Sequence, residues 1–589
     1  MALKPPEEKT LLQRYLPIVD WLPAYRWGEW FRFDVLAALT VWALLVPEAM
    51  AYAGIAGVSP EVGLVTAPLA LIGYAIFGSS RHLFVGPSST VAIISASVVA
   101  PLAGSDDELY LSLTIWLAVF TGVFFIALGL ARMGWIANFM ASSVLSGFMV
   151  GLALVIAVGQ LDKILGVESE GGNVLQELGS MLEQFTDWDW PTIAVGAAAL
   201  AALFLIEEFA PTLPGALIVM LVAIAASAIF DFEGGGIHVV GEIPAELPSL
   251  SLPEWPGWEL MSDILVGALA VIVVAFAESY AAAKTYASKF GYQVDANQEM
   301  IGLGAANLGA GLSGGFVVDG SLSKTAAGVD AGQKTQMTSI VTAVFVLITI
   351  VALTWLFEPL PEAVLGAIVI HAVWKLIDFS DFVFYWQTRK DDLVLAVAAF
   401  LGVILIDILQ GILIGIVLSL VALIYRASFP QGAELGRVED EEGNFEFVDA
   451  DSNPDAETLP EVVAYRQTGS LIFSNAAAFS QQARELLWQR TDPPATDLVV
   501  DCEQMADLDI TGAEEIVALH EELQAAEVEM WLARLHGDAL VTAEKAGVID
   551  AIGTDHVLPT IRTMGQIRAE RETDSPGADV SDVDESTEA

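Results

Sequence analysis

The amino-acid sequence places three ionisable side chains inside long apolar stretches: Glu48 in "WALLVPEAMAYAG", Glu278 in "VVAFAESYAAAK" and Lys324 in "VDGSLSKTAA". Charges in such surroundings are costly to desolvate, and within membrane spans they mark ion or substrate pathways. Glu48 follows Pro47, which removes one backbone donor and loosens the turn. A carboxyl at that depth can take and release a proton during a transport cycle; the structural reading is an acid that only hydrogen-bonds a neighbouring helix. Glu278 lies among alanines that allow close helix approach, and it suits a proton or a sodium ion. Lys284, six residues on, faces another side of the helix and is a poor partner for it. Asp407 and Glu207 lie near the ends of their stretches, where solvation accounts for them.

Lys324 stands at the start of a short segment. With the backbone N–H groups of Ser321, Leu322 and Ser323 and the hydroxyls of the two serines it makes a positive helix terminus for an anion. Ser88, Ser89 and Thr90, after Gly86 and Pro87, offer a second such terminus. Two helix ends converging at the midplane would bind an oxyanion or halide with few formal charges. A Lys324 pair with Asp319 or Glu48 is the structural reading, and such a pair in the empty state is compatible with anion binding. Other signals are weak. "GAGLSG" (Gly309, Gly311, Gly314) has a dinucleotide-binding spacing but follows a membrane helix, so small-residue packing explains it better. His371 has no metal-ligand companion, and no nucleophile–base constellation points to an enzyme.

The elements that position these residues are apolar stretches at 33–56, 61–77, 87–103, 109–130, 135–160, 191–209, 214–231, 260–287, 298–317, 320–332, 335–357, 362–378, 391–408 and 410–429. With the N-terminus inside, the inner loops hold Arg81, Arg132, Lys284, Lys289, Lys334, Lys375, Arg389, Lys390 and Arg426, whereas the outer loops hold only Lys163. That parity predicts about 14 crossings with both termini cytoplasmic. Fourteen divides into two sevens, and the third stretch of each half is short and hydroxyl-rich. This is the mark of an inverted-repeat transporter with its site at the broken helices.

Composition agrees. The 589 residues are 55% hydrophobic with only 17% charged, and the net charge is −49 from 25 basic and 74 acidic residues. Such a balance excludes general nucleic-acid affinity. Its spread over the non-membrane part suits a host with a salt-rich interior, a halophile, where screening acts over a few ångströms. The single cysteine, Cys502, excludes a disulfide framework and reads as a small buried core residue. Residues 1–32 form a cytoplasmic segment and 33–429 the transport domain. The Glu/Asp/Gly/Pro-rich 430–460 reads as a linker, and 461–570 alternate strand and helix patterns as a small α/β domain. The acidic 571–589 read as a disordered tail.

Several motifs in order, "PEAMAYAGIAGVSPEVGL", "YAIFGSSRHLFVGPSSTVAII", "NQEMIGLGAANL", "GSLSKTAA" and "AGQKTQMTSIVTA", resemble the SulP (sulfate permease) family, relatives of prestin and pendrin. "AYRQTGSLIFSNAAAF" and "DLDITGAEEIVALHEEL" resemble a STAS domain, a module shared with anti-sigma factor antagonists. The resemblance implies a seven-plus-seven inverted repeat of core and gate helices in the plasma membrane, commonly a homodimer. Binding residues would be Glu48, Tyr52, Ser88, Ser323 and Lys324. An acid at Glu48 is similar to proton-coupled members, and Glu278 matches the acid of sodium–bicarbonate members, although Ala282 replaces their hydroxyl. The antagonists' phosphorylatable serine is Ile510 here, beside Thr511. The expectation is an elevator-type anion symporter without a cofactor, coupled to a proton or sodium and carrying sulfate or bicarbonate. C4-dicarboxylate symport, uncoupled exchange or channel activity, and non-transporting anion sensing are the competitors.

Overall fold

The computed structural model describes residues 13, 15–135, 141–167, 173–210, 213–241, 250, 252–374, 376–406, 408–429, 432–439, 445–459 and 461–564. Lys375, Asp407 and the acidic tail 571–589 lie outside the described residues. Two compact units emerge, Met1–Leu420 and Val421–Ala589.

Between Trp27 and Ser428 every apolar stretch holds a helix. The first half carries α1 (Trp27–Ile55), α2 (Pro60–Phe77), strand β1 (Phe84–Gly86), α3 (Ser89–Ala103), α4 (Asp107–Leu130), α5 (Ser142–Val158), α6 (Trp190–Phe209) and α7 (Gly215–Phe230). The second carries α8 (Trp258–Phe290), α9 (Ala296–Leu312), strand β2 (Asp319–Ser321), α10 (Leu322–Asp330), α11 (Met337–Ala352), α12 (Glu362–Trp374), α13 (Lys390–Leu405) and α14 (Ile408–Ser428). Local chemistry sets their starts. Asp106, Asp189 and Asp295 cap α4, α6 and α9 by accepting first-turn N–H bonds, and Pro60 opens α2. Among the described residues, six helices are long and apolar enough to cross a membrane by length and composition. Pro47 sits within α1 without ending it.

The helices sort into two packing sets, each drawn from both halves. In one, α9 packs on α2 and α4, α11 on α1 and α2, and α8 on α3 and α4; in the other, α5 packs on α13 and α6 on α12. Glycines permit the closest approaches. A Cβ on Gly304 would lie 2.8 Å from the Gly122 carbonyl, and one on Gly309 would lie 2.6 Å from the Leu69 carbonyl. Of the "GAGLSG" glycines, Gly309 and Gly311 of α9 therefore serve helix packing, whereas Gly314 lies beyond the helix at a positive φ with open space around it.

Two fully buried carboxylates tie the first set together. Asp34 of α1 accepts from Tyr25 Oη (3.0 Å), Lys334 N (2.7 Å), Thr335 N (3.2 Å), Thr335 Oγ1 (3.0 Å) and Thr338 Oγ1 (3.0 Å). Glu299 of α9 accepts from Tyr74 Oη (2.6 Å), Ser79 N (2.8 Å), Ser79 Oγ (2.6 Å) and Ser80 N (2.9 Å). Charge-assisted bonds of this kind offset the desolvation of each carboxylate.

The second unit is an α/β domain built on a six-stranded sheet of order β4-β3-β5-β6-β7-β8. Its elements are β3 (Ala433–Glu439), β4 (Phe445–Asp449), β5 (Val462–Arg466), α15 (Ala476–Gln489), β6 (Asp497–Asp501), α16 (Ile510–Ala525), β7 (Glu529–Ala533), α17 (Gly537–Lys545), α18 (Val548–Ile552) and β8 (Val557–Leu558). Strands β5 to β8 run parallel, whereas β3 and β4 form an antiparallel pair at one edge. The expected linker 430–460 is thus corrected, because it contributes two strands. Its acidic residues alternate with Leu435, Val438, Phe447 and Val448, which the composition obscured. Ile510 opens α16 and is 62% exposed, so the phosphoswitch position presents an aliphatic side chain to solvent. At the end of β6, buried Asp501 accepts from Arg466 Nε (2.7 Å) and Arg534 Nε (2.9 Å).

Two outcomes follow. Asp34→Ala strands donors from three segments and is expected to cost more than about 3 kcal/mol, two charge-assisted bonds' worth; thermal unfolding in detergent reads this, with an unchanged midpoint contradicting it. Cys502 is buried, and burial pushes its thiol well above the usual range. It should resist maleimide in the folded protein and react fully only after denaturation.

Candidate functional site

The two short strands create the site. Residues 84–86 and 319–321 pair antiparallel, with Phe84 opposite Ser321, Val85 opposite Gly320 and Gly86 opposite Asp319. Each strand runs directly into a helix, β1 into α3 and β2 into α10. The antiparallel pairing sends those helices away in opposite directions, as an inverted repeat requires.

Neighbouring helices fix the strands. Asn307 of α9 donates to the Val318 carbonyl and accepts from Val318 N, both at 2.9 Å. Ser279 Oγ of α8 accepts from Gly320 N at 2.7 Å. Thr325 Oγ1 accepts from Phe84 N (2.9 Å) and donates to the Ser321 carbonyl (2.6 Å), tying α10 to the opposite strand.

The first turns carry the expected donors. Ser88 Oγ accepts from Val91 N at 3.5 Å, and Ser321 Oγ accepts from Lys324 N at 3.3 Å, so both serines cap their helices. The Ser88 hydroxyl also bonds Asp319, while the first-turn N–H groups of Ser89, Thr90, Leu322 and Ser323 have no intrahelical acceptor. Ser88, Ser89, Thr90 and Ser321 are buried, whereas Leu322 and Ser323 are exposed on the protein surface. Ser323 Oγ lies 3.1 Å from Ser321 Oγ.

Lys324 is only 1% exposed. Its Nζ stands 2.6 Å from Glu48 Oε2, donates to the Pro87 carbonyl at 3.2 Å and lies 5.1 Å from the Tyr52 ring centre. One ammonium therefore joins α10, α1 and the start of α3. Of the two partners anticipated for Lys324, Glu48 is the one it takes. Glu278 of α8 and Asp319 face each other nearby, with Thr90 beside Glu278 and Ser88 beside Asp319. The structure thus brings together Glu48, Tyr52, Ser88, Thr90, Glu278, Ser321 and Lys324.

The position one turn after Glu278, where the sodium–bicarbonate members carry a hydroxyl, is the buried, apolar Ala282. Elsewhere, Glu207 was expected in solvent and instead pairs with His371 Nε2 at 2.8 Å across α6 and α12. Sequence reasoning treated Asp319 only as a partner for Lys324 and missed Ser279, Asn307 and Thr325 as supports. Their signal is weak, being small polar residues beside glycines.

Comparison with known proteins agrees with this architecture. The sulfate permease family model matches residues 31–399, and the STAS domain model matches 453–564. A probable sulfate transporter of Mycobacterium tuberculosis is 35% identical over 541 residues, covering 91% of this chain and 95% of that protein. The chloroplastic sulfate transporter 4.1 of Arabidopsis thaliana is 28% identical, covering 94% and 82%. In fold, the chain is similar to the murine Slc26a9 anion transporter in its inward-facing state, with a TM-score of 0.87, 24% identity and 96% of each chain covered. It also matches the transmembrane domain of the cyanobacterial bicarbonate transporter BicA, at a TM-score of 0.58 and 22% identity over 66% of this chain and 97% of that one. The chain therefore belongs to the sulfate permease family: it is a multi-pass membrane protein with a C-terminal STAS domain, and not an enzyme.

Proposed function

We propose that the protein is a secondary active transporter that carries a small anion, sulfate foremost, together with protons. One observation carries the reading: a buried ammonium, Lys324, stands at the start of α10, reaches the start of α3 and is held by the carboxylate of Glu48. An anion entering between the two helix ends meets first-turn N–H groups, the hydroxyls of Ser88, Ser89, Thr90, Ser321 and Ser323, and Lys324. It competes with Glu48 for the same ammonium. Protonating Glu48 frees Lys324 for the anion, so cation and anion bind together. That linkage is the physical basis of symport.

Support for sulfate comes from the relatives' names, and bicarbonate is second because BicA shares the fold. The wider picture is about 14 crossings with both termini cytoplasmic, a plasma-membrane homodimer, and elevator-type movement of one packing set against the other.

Proteoliposomes test the reading through uptake of labelled sulfate, bicarbonate, succinate and chloride under separately imposed proton and sodium gradients. Sulfate accumulation driven by an inward proton gradient is expected; no uptake of any anion under any gradient would sink transport and leave anion sensing. Lys324→Gln should weaken sulfate binding roughly 10- to 100-fold, the scale of a lost charge-assisted bond; unaltered affinity would remove Lys324 from the site. Glu48→Gln should abolish accumulation driven by the proton gradient, whereas an uncoupled exchanger or channel would keep its flux.

A further inference from the structure

Strand β1 is three residues long, and a two-stranded pair of that size is marginal without support. Its tethers therefore decide where α3 begins. The peptide between Leu83 and Phe84 is gripped at both ends. Its N–H donates to Thr325 Oγ1 of α10 at 2.9 Å, and its oxygen accepts from Gln336 Nε2 at 2.8 Å. The same nitrogen donates to the Ser80 carbonyl at 3.0 Å, so one side chain closes the turn that feeds β1. Ser339 Oγ donates to Gln336 Oε1 at 2.7 Å, which sets the direction the amide faces.

Gln336 is buried and stands just before α11, yet its side chain caps none of that helix's N–H groups. The turn that carries it is fastened to α1, because Asp34 accepts from Lys334 N, Thr335 N, Thr335 Oγ1 and Thr338 Oγ1. Helix α1 also carries Glu48. The two groups that hold the Lys324 ammonium, Glu48 Oε2 and the Pro87 carbonyl, are thus linked through Asp34, Gln336 and β1, a path that does not pass through Lys324. Pro87 lies four residues beyond Leu83, about 13 Å along an extended chain. A slip of the gripped peptide would move that carbonyl and the Ser88 cap together.

We propose that Gln336 is a positioning residue for the anion site: it holds β1 in depth from outside the strand pair, so that the start of α3 faces Lys324. Asn307 holds β2 in the same way through Val318. The amide of Gln336 bonds Ser80, Leu83 and Ser339, and it acts on the site only through β1. Its effect on anion binding rests on the anion-transport reading; the clamp on β1 does not.

The test is Gln336→Met, which keeps the side chain's length and removes both donated bonds, in the purified full-length protein. Hydrogen-exchange mass spectrometry follows residues 80–91, and calorimetry measures sulfate binding in the same preparation. Faster exchange over 80–91 with α11 still protected is expected, together with a sulfate Kd weaker by roughly 10-fold, the scale of one lost hydrogen bond. That loss should shrink in a Lys324→Gln background, because the alignment matters only while the ammonium is there. Ser339→Ala, a milder change, should move exchange and affinity in the same direction by less, and it decides the matter if Gln336→Met does not fold. Unchanged exchange over 80–91, unchanged sulfate affinity in both variants, or equal losses with and without Lys324 would overturn the proposal. A wild type that binds no sulfate, while 80–91 responds as expected, would support the clamp and count against the anion reading alone.

Discussion

The ion pair between Lys324 and Glu48 is the interaction on which the rest of the site depends. Burying an ammonium is affordable only with a partner close by. Its Nζ reaches that partner only because α10 is nine residues long and starts at β2, deep in the unit. The pairing of β1 with β2 fixes that depth, and Asn307, Ser279 and Thr325 fix the pairing. Much of the first packing set thus serves to hold one positive charge where two helices begin.

Under the proposed function, that arrangement explains why an acid stands beside the anion's ammonium. A permanently positive pocket would bind its anion and keep it. Here Glu48 holds Lys324 and, in the proposed function, competes with the anion for it. In that proposal, binding depends on whether a proton accompanies the anion, and a site that is attractive only when protonated can release its cargo when the proton leaves.

Most of the fold was legible in the sequence because each apolar stretch specifies a buried helix irrespective of its neighbours. The short third stretches were legible for the same reason, since "VGPSSTVAII" and "VDGSLSKTAA" are too polar and too short to face lipid. Glu48, Glu278 and Lys324 stood out as charges in apolar surroundings. Asp319 did not, because an acid before Gly320 reads as a loop residue until strand pairing buries it. The pairing of His371 with Glu207, 164 residues apart, has no local signal. Strands β3 and β4 were hidden by an acidic composition that suits the exposed edge of a sheet.

The central claim is that the anion rests between the starts of α3 and α10, within reach of Lys324. Locating a heavier sulfate analogue answers it most directly. Crystals grown with selenate, measured at the selenium absorption edge, should show anomalous density between the first turns of the two helices, beside Lys324 Nζ. Selenate density confined to another part of the membrane unit, in protein that still carries selenate, would contradict the account.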